Sequence, residues 1–193
     1  MNYDNKSKIM QRAFDLIRDG IKNRSSMFHT LTMSTLHNKI IDSRVMVLRD
    51  FNAKRRFLRF HSDFRSKKVK AISDNPTTSV IGYDPEKKTQ IRMIGISEIN
   101  HNNEFSRNAW EESQAISKKC YLVKDGSSYE TNKPDNYDFQ IKDVDLEEGY
   151  KNFSTIVFTF SSLEFLYLQR SGHRRCKFEW GLDGNMKSYW LVP

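Results

Sequence analysis

Hydrophobic residues recur at helical spacing near the N-terminus of the chain. Ile9, Ala13, Leu16 and Ile17 fall on one face of residues 6–22, and the remaining positions are mostly polar or charged. A single apolar stripe of this kind is typical of a helix that packs one side against a core. The sequence therefore begins with a predicted amphipathic helix.

Most of the later hydrophobic residues come in short runs that alternate with polar residues or are rich in β-branched and aromatic side chains. These features favour β-strands over long helices. Strands are predicted over residues 27–36, 39–51, 55–61, 77–83, 90–99, 153–160, 163–169, 174–180 and 187–192. A tight turn at His37 and Asn38 joins the first two into a hairpin, and Ser161 and Ser162 separate the sixth from the seventh.

Two further helices are predicted between strand pairs, over residues 66–74 and 104–118. Three strands precede the first of these helices, whereas a doubly wound parallel sheet needs a helix between nearly all strands. The order of elements predicts a mainly β (α+β) fold, an antiparallel barrel of six to seven strands with peripheral helices.

The length of 193 residues suits one domain with a core of its own. Residues 1–24 form its N-terminal helical part, and residues 124–150, with eight acidic residues against three lysines, are an acidic insertion or loop. The chain has no apolar run of membrane-spanning length and no apolar core of a secretory signal near Met1. Its two cysteines and its histidines lack metal-ligand spacing. These observations predict a cytoplasmic protein without a metal site or membrane contact.

Charge is concentrated in one part of the chain. Residues 44–70 contain ten Lys and Arg against two Asp, a local charge of +8 that equals the net charge of the whole protein. No helix-turn-helix, zinc or RNA-recognition signature accompanies this charge, so nucleic acid is not the predicted partner. A localised anion site for a phosphate-bearing ligand is predicted instead.

The cluster divides into parts with different expected roles. Arg65, Ser66, Lys67 and Lys68 lie at the first turn of a predicted helix, where cations, a hydroxyl and backbone N–H groups together suit a phosphate. A second group of cations is predicted to be solvated surface: Lys54, Arg55, Arg56 and Arg59.

Arg44 and Arg49 flank four apolar residues on a predicted strand. Their odd separation places the two side chains on opposite faces, so they do not grip one part of a ligand side by side. The backbone of this strand is expected to contact a planar ring, with one arginine directed at the ligand.

Five sequence elements occur in the order seen in a known family. They are RVMVLR at residues 44–49, HSDFRSKK at 61–68, QIRMIG at 90–95, HRR at 173–175 and WLVP at 190–193. Together they resemble the FMN-binding split-barrel family related to pyridoxamine 5′-phosphate oxidase. The resemblance covers about residues 25–193 and implies a homodimer of split barrels that binds two FMN molecules at the subunit interface.

The resemblance also implies which residues bind the cofactor. In the family, the strand that matches residues 44–49 contacts the flavin ring and ribityl chain, a His-Ser pair contacts the flavin, and a Ser-Arg-Lys turn binds the phosphate. A glutamine from the opposite hairpin and the last arginine of an Arg-x-His-x-Arg strand also reach FMN. The corresponding residues here, with Arg65 added from the charge pattern, are Arg44, Val45, Met46, Val47, Leu48, Arg49, His61, Ser62, Arg65, Ser66, Lys67, Lys68, Gln90 and Arg175. Ser113 and Gln114 match a helix that contributes from the second subunit.

Departures from the family pattern limit what the resemblance implies about the reaction. Ser171 replaces the arginine of the substrate-binding Arg-x-His motif, and Leu166 stands where a flavin-contacting tryptophan is usual. The chain therefore resembles a related flavoprotein more than the vitamin B6 enzyme itself. Two functions remain open: an FMN-dependent oxidoreductase acting on a small molecule or nicotinamide donor, and a non-catalytic flavin-binding or sensing protein. In the first, Arg49 or His61 would supply positive charge or a hydrogen-bond donor near the flavin.

Overall fold

The computed structural model describes residues 3–133 and 145–193. Its eight strands are β1 Thr30–His37, β2 Ile40–Asn52, β3 Phe57–Asp63, β4 Thr77–Asp84, β5 Thr89–Asn100, β6 Phe153–Tyr167, β7 Arg174–Trp180 and β8 Met186–Leu191. Its α-helices are α1 Lys6–Lys22, α2 Lys67–Asp74, α3 Glu104–Glu111 and α4 Ala115–Lys118, and short 3₁₀ turns cover Lys119–Tyr121 and Leu146–Asn152.

All pairings between neighbouring strands are antiparallel, and the strand order is β3-β2-β1-β4-β5-β6-β7-β8. Strand β3 also pairs with β6 from Phe57 to Asp63, which closes the first six strands into a barrel. Strands β7 and β8 extend the sheet beyond the closure. The predicted antiparallel barrel with peripheral helices is confirmed, and the closed barrel has six strands with two more beside it.

One core fills the barrel and the space under α1. Large side chains with no solvent exposure point inward from alternate strand positions, among them Phe60, Phe158 and Phe165. The apolar face predicted for α1 is buried against the same core at Ile9, Ala13, Leu16 and Ile17. Ser66, predicted as the first residue of α2, is instead its N-cap.

Two predicted boundaries are wrong. The helix predicted over residues 104–118 is divided, because α3 ends at Glu111 and α4 begins at Ala115. The two strands predicted around Ser161 are one continuous strand, β6. A register shift opposite Ile94 and Gly95 absorbs the extra residue, and a β-bulge of this kind bends a strand without ending it.

The feature of the barrel that positions the candidate site is a gap between β2 and β3. Their ladder ends at Leu48 and Phe60, although β3 continues to pair with β6 as far as Asp63. The side of residues 44–47 that faces β3 therefore has no strand partner. Here the barrel is open, and the residues of the predicted RVMVLR and HSDFRSKK motifs line the two sides of the opening.

Candidate functional site

Three adjoining cavities follow the gap between β2 and β3, and we call them together the basic groove. The first, of about 430 Å³, lies between residues 42–46 and the start of α2. The second, of about 440 Å³, shares Met46 and Lys68 with the first and extends to His61 and Tyr121. The third, of about 320 Å³, shares His61 with the second and ends among Arg49 and Arg59.

The first cavity has the composition of a phosphate site. Ser66 is the N-cap of α2, but its side chain makes no capping hydrogen bond to the helix. Its hydroxyl lies 3.2 Å from the hydroxyl of Ser62. Lys68 Nζ donates to Ser62 Oγ at 3.3 Å. Backbone N–H groups at the start of an α-helix favour anions, and the first residues of α2, Lys67 and Lys68, line the same cavity as Ser66.

Two cations meet at this end of the groove. Burial lowers the pKa of Lys68, and the positive charge of Arg44 lowers it further. Arg44 is held by Asp42, by the Met33 carbonyl and by Thr35 Oγ1, 2.9 Å from its Nη1. A bound dianion would relieve the repulsion between the Arg44 and Lys68 cations.

His61 stands where the second and third cavities meet. Its Nε2 atom is buried and has no hydrogen-bond partner in the part of the chain that the structure describes, and its ring packs edge-on against Phe153 at 4.9 Å between centroids. Burial, together with the cations of Arg59 and Arg49, lowers the pKa of His61 to about 3. The ring is therefore neutral near pH 7, so His61 offers a hydrogen-bond donor or acceptor but no positive charge.

The depressed pKa of His61 predicts how stability depends on pH. Between pH 3 and 6.5 the unfolded chain binds a proton on this histidine that the folded chain does not, so acid lowers the free energy of unfolding. We expect a contribution of roughly 1.4 kcal/mol per pH unit within that window. Urea unfolding of His61→Gln should lack this contribution, whereas His173→Gln, which replaces an exposed histidine, should retain it. Equal slopes in the wild type and His61→Gln would contradict the neutral histidine.

The third cavity is polar and cationic. Among the described residues, the side chain of Arg49 makes no hydrogen bond or ion pair, and its Nε is buried. Arg59 also has a buried, unpartnered Nε, although its Nη2 contacts Glu112 at 2.9 Å. The prediction that Arg59 is solvated surface is wrong, because its side chain is only 13% exposed. Glu112, in the break between α3 and α4, pairs with it from a distant part of the chain, which local sequence does not reveal.

Arg44 lines the first cavity and Arg49 the third, so the two arginines do not lie side by side at one part of the groove, as their odd separation predicts. It also brings Ser113 and Gln114 into the cavity lined by Arg49 of the same chain. The resemblance implies that this pair comes from a second subunit. The break between α3 and α4 is what turns the pair toward the third cavity.

Arg65 does not line the basic groove. Its guanidinium makes a two-point contact with the Asp63 carboxylate, at 3.0 and 2.7 Å, and donates to the carbonyls of Val123 and Lys124. The hydrogen bonds that it donates to Asp63 raise the pKa of Arg65. Its neighbours Ser66, Lys67 and Lys68 line the first cavity, so the structure divides the predicted phosphate group.

Gln90 and Arg175 also lie outside the groove. Gln90 is on β5 and Arg175 on β7, where its guanidinium is bound to Glu164 at 2.6 and 2.9 Å. Strands β1 and β4 separate β5 from β2 in the sheet. The structure thus brings most of the predicted cofactor residues together on β2, β3 and α2, and leaves these two elsewhere on the barrel.

The sequence does not predict that residues 119–131 cover the groove. Tyr121, Ser127 and Ser128 line its cavities, and burial raises the pKa of the Tyr121 phenol. Their segment carries no periodic signal, and it reaches the groove only through tertiary contacts. Ser127 and Ser128, two hydroxyls next to Gly126, are the one local pattern that hints at an anion-binding turn.

Across residues 3–133 and 145–193, no three potential metal-ligating side chains lie together. Within the same residues, no helix is long and apolar enough to cross a bilayer.

Comparisons with known proteins agree with the fold. Residues 11–101, which include β2, β3 and α2, match the family model described as "Pyridoxamine 5′-phosphate oxidase, FMN-binding domain". A comparison with curated protein sequences gives no match.

Solved structures with the same fold include a pyridoxamine 5′-phosphate oxidase-related, FMN-binding protein from Nostoc punctiforme. It has a TM-score of 0.78 and 18% identity over 95% of this chain and 96% of that one. PhzG from Burkholderia lata, solved with tetrahydrophenazine-1-carboxylic acid, has a TM-score of 0.71 and 16% identity over 99% and 96% of the two chains. The resemblance indicated by the motifs is therefore confirmed: the chain is similar to the FMN-binding split-barrel family related to pyridoxamine 5′-phosphate oxidase, and FMN is the cofactor of the matched domain.

Proposed function

We propose that this protein is an FMN-dependent oxidoreductase that binds FMN in the basic groove and acts on a small molecule. The observation that carries the proposal is the gap between β2 and β3, which has a site suited to binding phosphate at one end and a polar cavity at the other. In this proposal the whole chain is one FMN-binding domain in the cytoplasm.

The residues present fit FMN in chemistry and in order along the groove. Ser66, Lys67 and Lys68 supply a hydroxyl and two cations for the phosphate, together with the N-terminus of α2. The unpaired side of residues 44–47 and the buried, unpartnered Nε2 of His61 offer hydrogen-bonding groups to a polar, planar ring.

We propose that FMN binds between two copies of the chain. Exposed apolar side chains on the outside of the barrel support this. They are Val45 on β2 and, beyond β1 and β4, Ile94 and Ile96 on β5, which are 65%, 45% and 60% exposed, and we call them together the outer patch. Gln90 projects from β5 on the same face as these two isoleucines, with which it shares an alternating position. A second subunit packed on the outer patch would bring its Gln90 and Arg175 toward FMN. The Gln90 and Arg175 of the first subunit lie away from its own groove.

Bound FMN would supply the hydride or electron transfer. The chain's own residues would set the surroundings: Arg49 would place positive charge beside the cofactor, and neutral His61 would hold a hydrogen bond through Nε2. The third cavity, lined by Arg24, Arg49 and Arg59, suits a small substrate with an anionic group.

Purification tests the proposal directly. We expect a yellow protein that releases FMN on denaturation, and steady oxidation of NADH or NADPH by the FMN-loaded protein with an electron acceptor. Arg49→Ala should lower the reduction potential of the bound flavin, because it removes the cation that favours the anionic reduced form. Arg55→Ala, an exposed arginine outside the groove, is the matched control.

Each outcome has a distinct meaning. A colourless protein that fails to take up micromolar FMN contradicts FMN binding altogether. A yellow protein that oxidises neither nicotinamide nor any small reductant contradicts the enzyme and favours the binding or sensing function.

A further inference from the structure

Residues 126–129 form a turn above the phosphate end of the basic groove. Ser127 and Ser128 line both the first and the second cavities, together with Lys68. Both serines are exposed, and within residues 3–133 and 145–193 their hydroxyls have only one another as partners, at 3.5 Å. Two hydroxyls without a strong partner thus face the same space as Ser66 and Lys68.

Arg65 fastens this turn to the barrel. It is anchored on β3 by Asp63, and it donates to the carbonyl oxygens of Val123 at 2.9 Å and Lys124 at 2.8 Å. In return, the Tyr129 hydroxyl lies 3.5 Å from the Arg65 carbonyl oxygen. The guanidinium therefore links Asp63 on the barrel to residues 123 and 124, which precede the turn.

The turn lies directly on the Arg65 backbone. A Cβ at Gly126 would come within 3.0 Å of Arg65 Cβ and 3.2 Å of its carbonyl oxygen. Ser128 has a φ of +70°, in the left-handed region that a non-glycine residue adopts only when its surroundings impose it. Lys67 also contacts the turn, because its Nζ lies 5.8 Å from the centre of the Tyr129 ring.

We propose that the turn of residues 126–129 is a second arm of the FMN phosphate site, in which Ser127 and Ser128 donate hydrogen bonds to the phosphate. Arg65 is then a positioning residue that holds this arm over the groove and does not bind the phosphate itself. The proposal rests on the proposed binding of FMN, and it assigns the charge of Arg65 a role other than the phosphate contact that its sequence position predicts.

The test compares FMN with riboflavin, which lacks the phosphate. Hydrogen bonds to a charged group are lost when both hydroxyls are removed, so Ser127→Ala combined with Ser128→Ala should raise the Kd for FMN about tenfold or more. The Kd for riboflavin should stay unchanged. Quenching of flavin fluorescence on binding measures both constants. Ser161→Ala, an exposed serine elsewhere on the barrel, is the matched control.

A double-mutant cycle tests the positioning role of Arg65. Arg65→Ala should also raise the Kd for FMN, and adding it to the double serine variant should cause little further loss, because both changes remove the same hydrogen bonds. If Arg65 acted only through its charge, the losses of affinity from Arg65→Ala and from the double serine change would add. The loss from Arg65→Ala would also shrink as salt is raised. Arg65→Lys should restore part of the affinity.

The outcomes separate this inference from the proposed function. Wild-type protein that does not bind FMN would refute the proposed function and the inference with it. Tight FMN binding by the wild type with an unchanged Kd in the double serine variant would refute the inference alone. Additive losses in the cycle would leave the serine contacts in place but refute the role given to Arg65.

Discussion

Lys68→Glu should abolish FMN binding while leaving the free protein at least as stable as the wild type. The reason is electrostatic, because burial and the positive charge of Arg44 lower the pKa of Lys68 by more than Asp63 and Asp42 raise it, so the ammonium group is disfavoured in the free protein. A carboxylate at this position would be attracted by Arg44 in the free protein but would repel the phosphate dianion. We expect the Kd for FMN to rise by about a hundredfold or more.

Thermal unfolding with and without FMN measures both effects. Excess ligand stabilises a protein that binds it only when folded, by about 2.7 kcal/mol at a concentration a hundred times the Kd. The wild type should show that rise in melting temperature, and Lys68→Glu should not. Lys70→Glu, an exposed lysine on the same helix, should keep it. A full ligand-induced rise in Lys68→Glu would mean that the phosphate binds elsewhere.

Placing a charge in the outer patch should convert a dimer into monomers. Ile96 is 60% exposed in the isolated chain, and covering a side chain of this size typically contributes about 1.5–3 kcal/mol. In Ile96→Glu that gain is lost and a carboxylate must be desolvated at the interface. Light scattering should therefore give a mass near 22.8 kDa for the variant, and twice that value for the wild type.

The same variant should bind FMN at least about tenfold more weakly, because Gln90 and Arg175 of the second subunit would be lost from the site. Leu182→Glu is the matched control, since Leu182 is fully exposed in the turn after β7 and lies outside the outer patch. A wild type that is monomeric at micromolar concentration would contradict the dimer. A monomeric Ile96→Glu with unchanged FMN affinity would contradict the site shared between subunits.

Much of the fold follows from local pattern. The alternation along β2 and β5 and the stripe on α1 each report which side of one element is buried, and that property belongs to the segment itself. The errors came where packing overrides local signals. Ser161 and Ser162 suggest an interruption, but pairing with β5 on one side and β7 on the other holds β6 together through the bulge.

The candidate site divides in the same way. The cations of residues 65–68 are visible in the sequence, but their roles differ because Asp63 and the carbonyls of residues 123 and 124 occupy Arg65, whereas Lys68 turns into the groove. Charge patterns identify an anion site without saying which cation has a protein partner. That depends on segments distant in the chain.

The sequence by itself determined the barrel class, the helix on its side, and the order of motifs that resembles an FMN-binding family, because these depend on periodicity and on short-range chemistry. Only the tertiary structure decided where the barrel opens. The gap arises because β3 leaves β2 after Phe60 to follow β6, and strand registry over about a hundred intervening residues cannot be read from either motif alone.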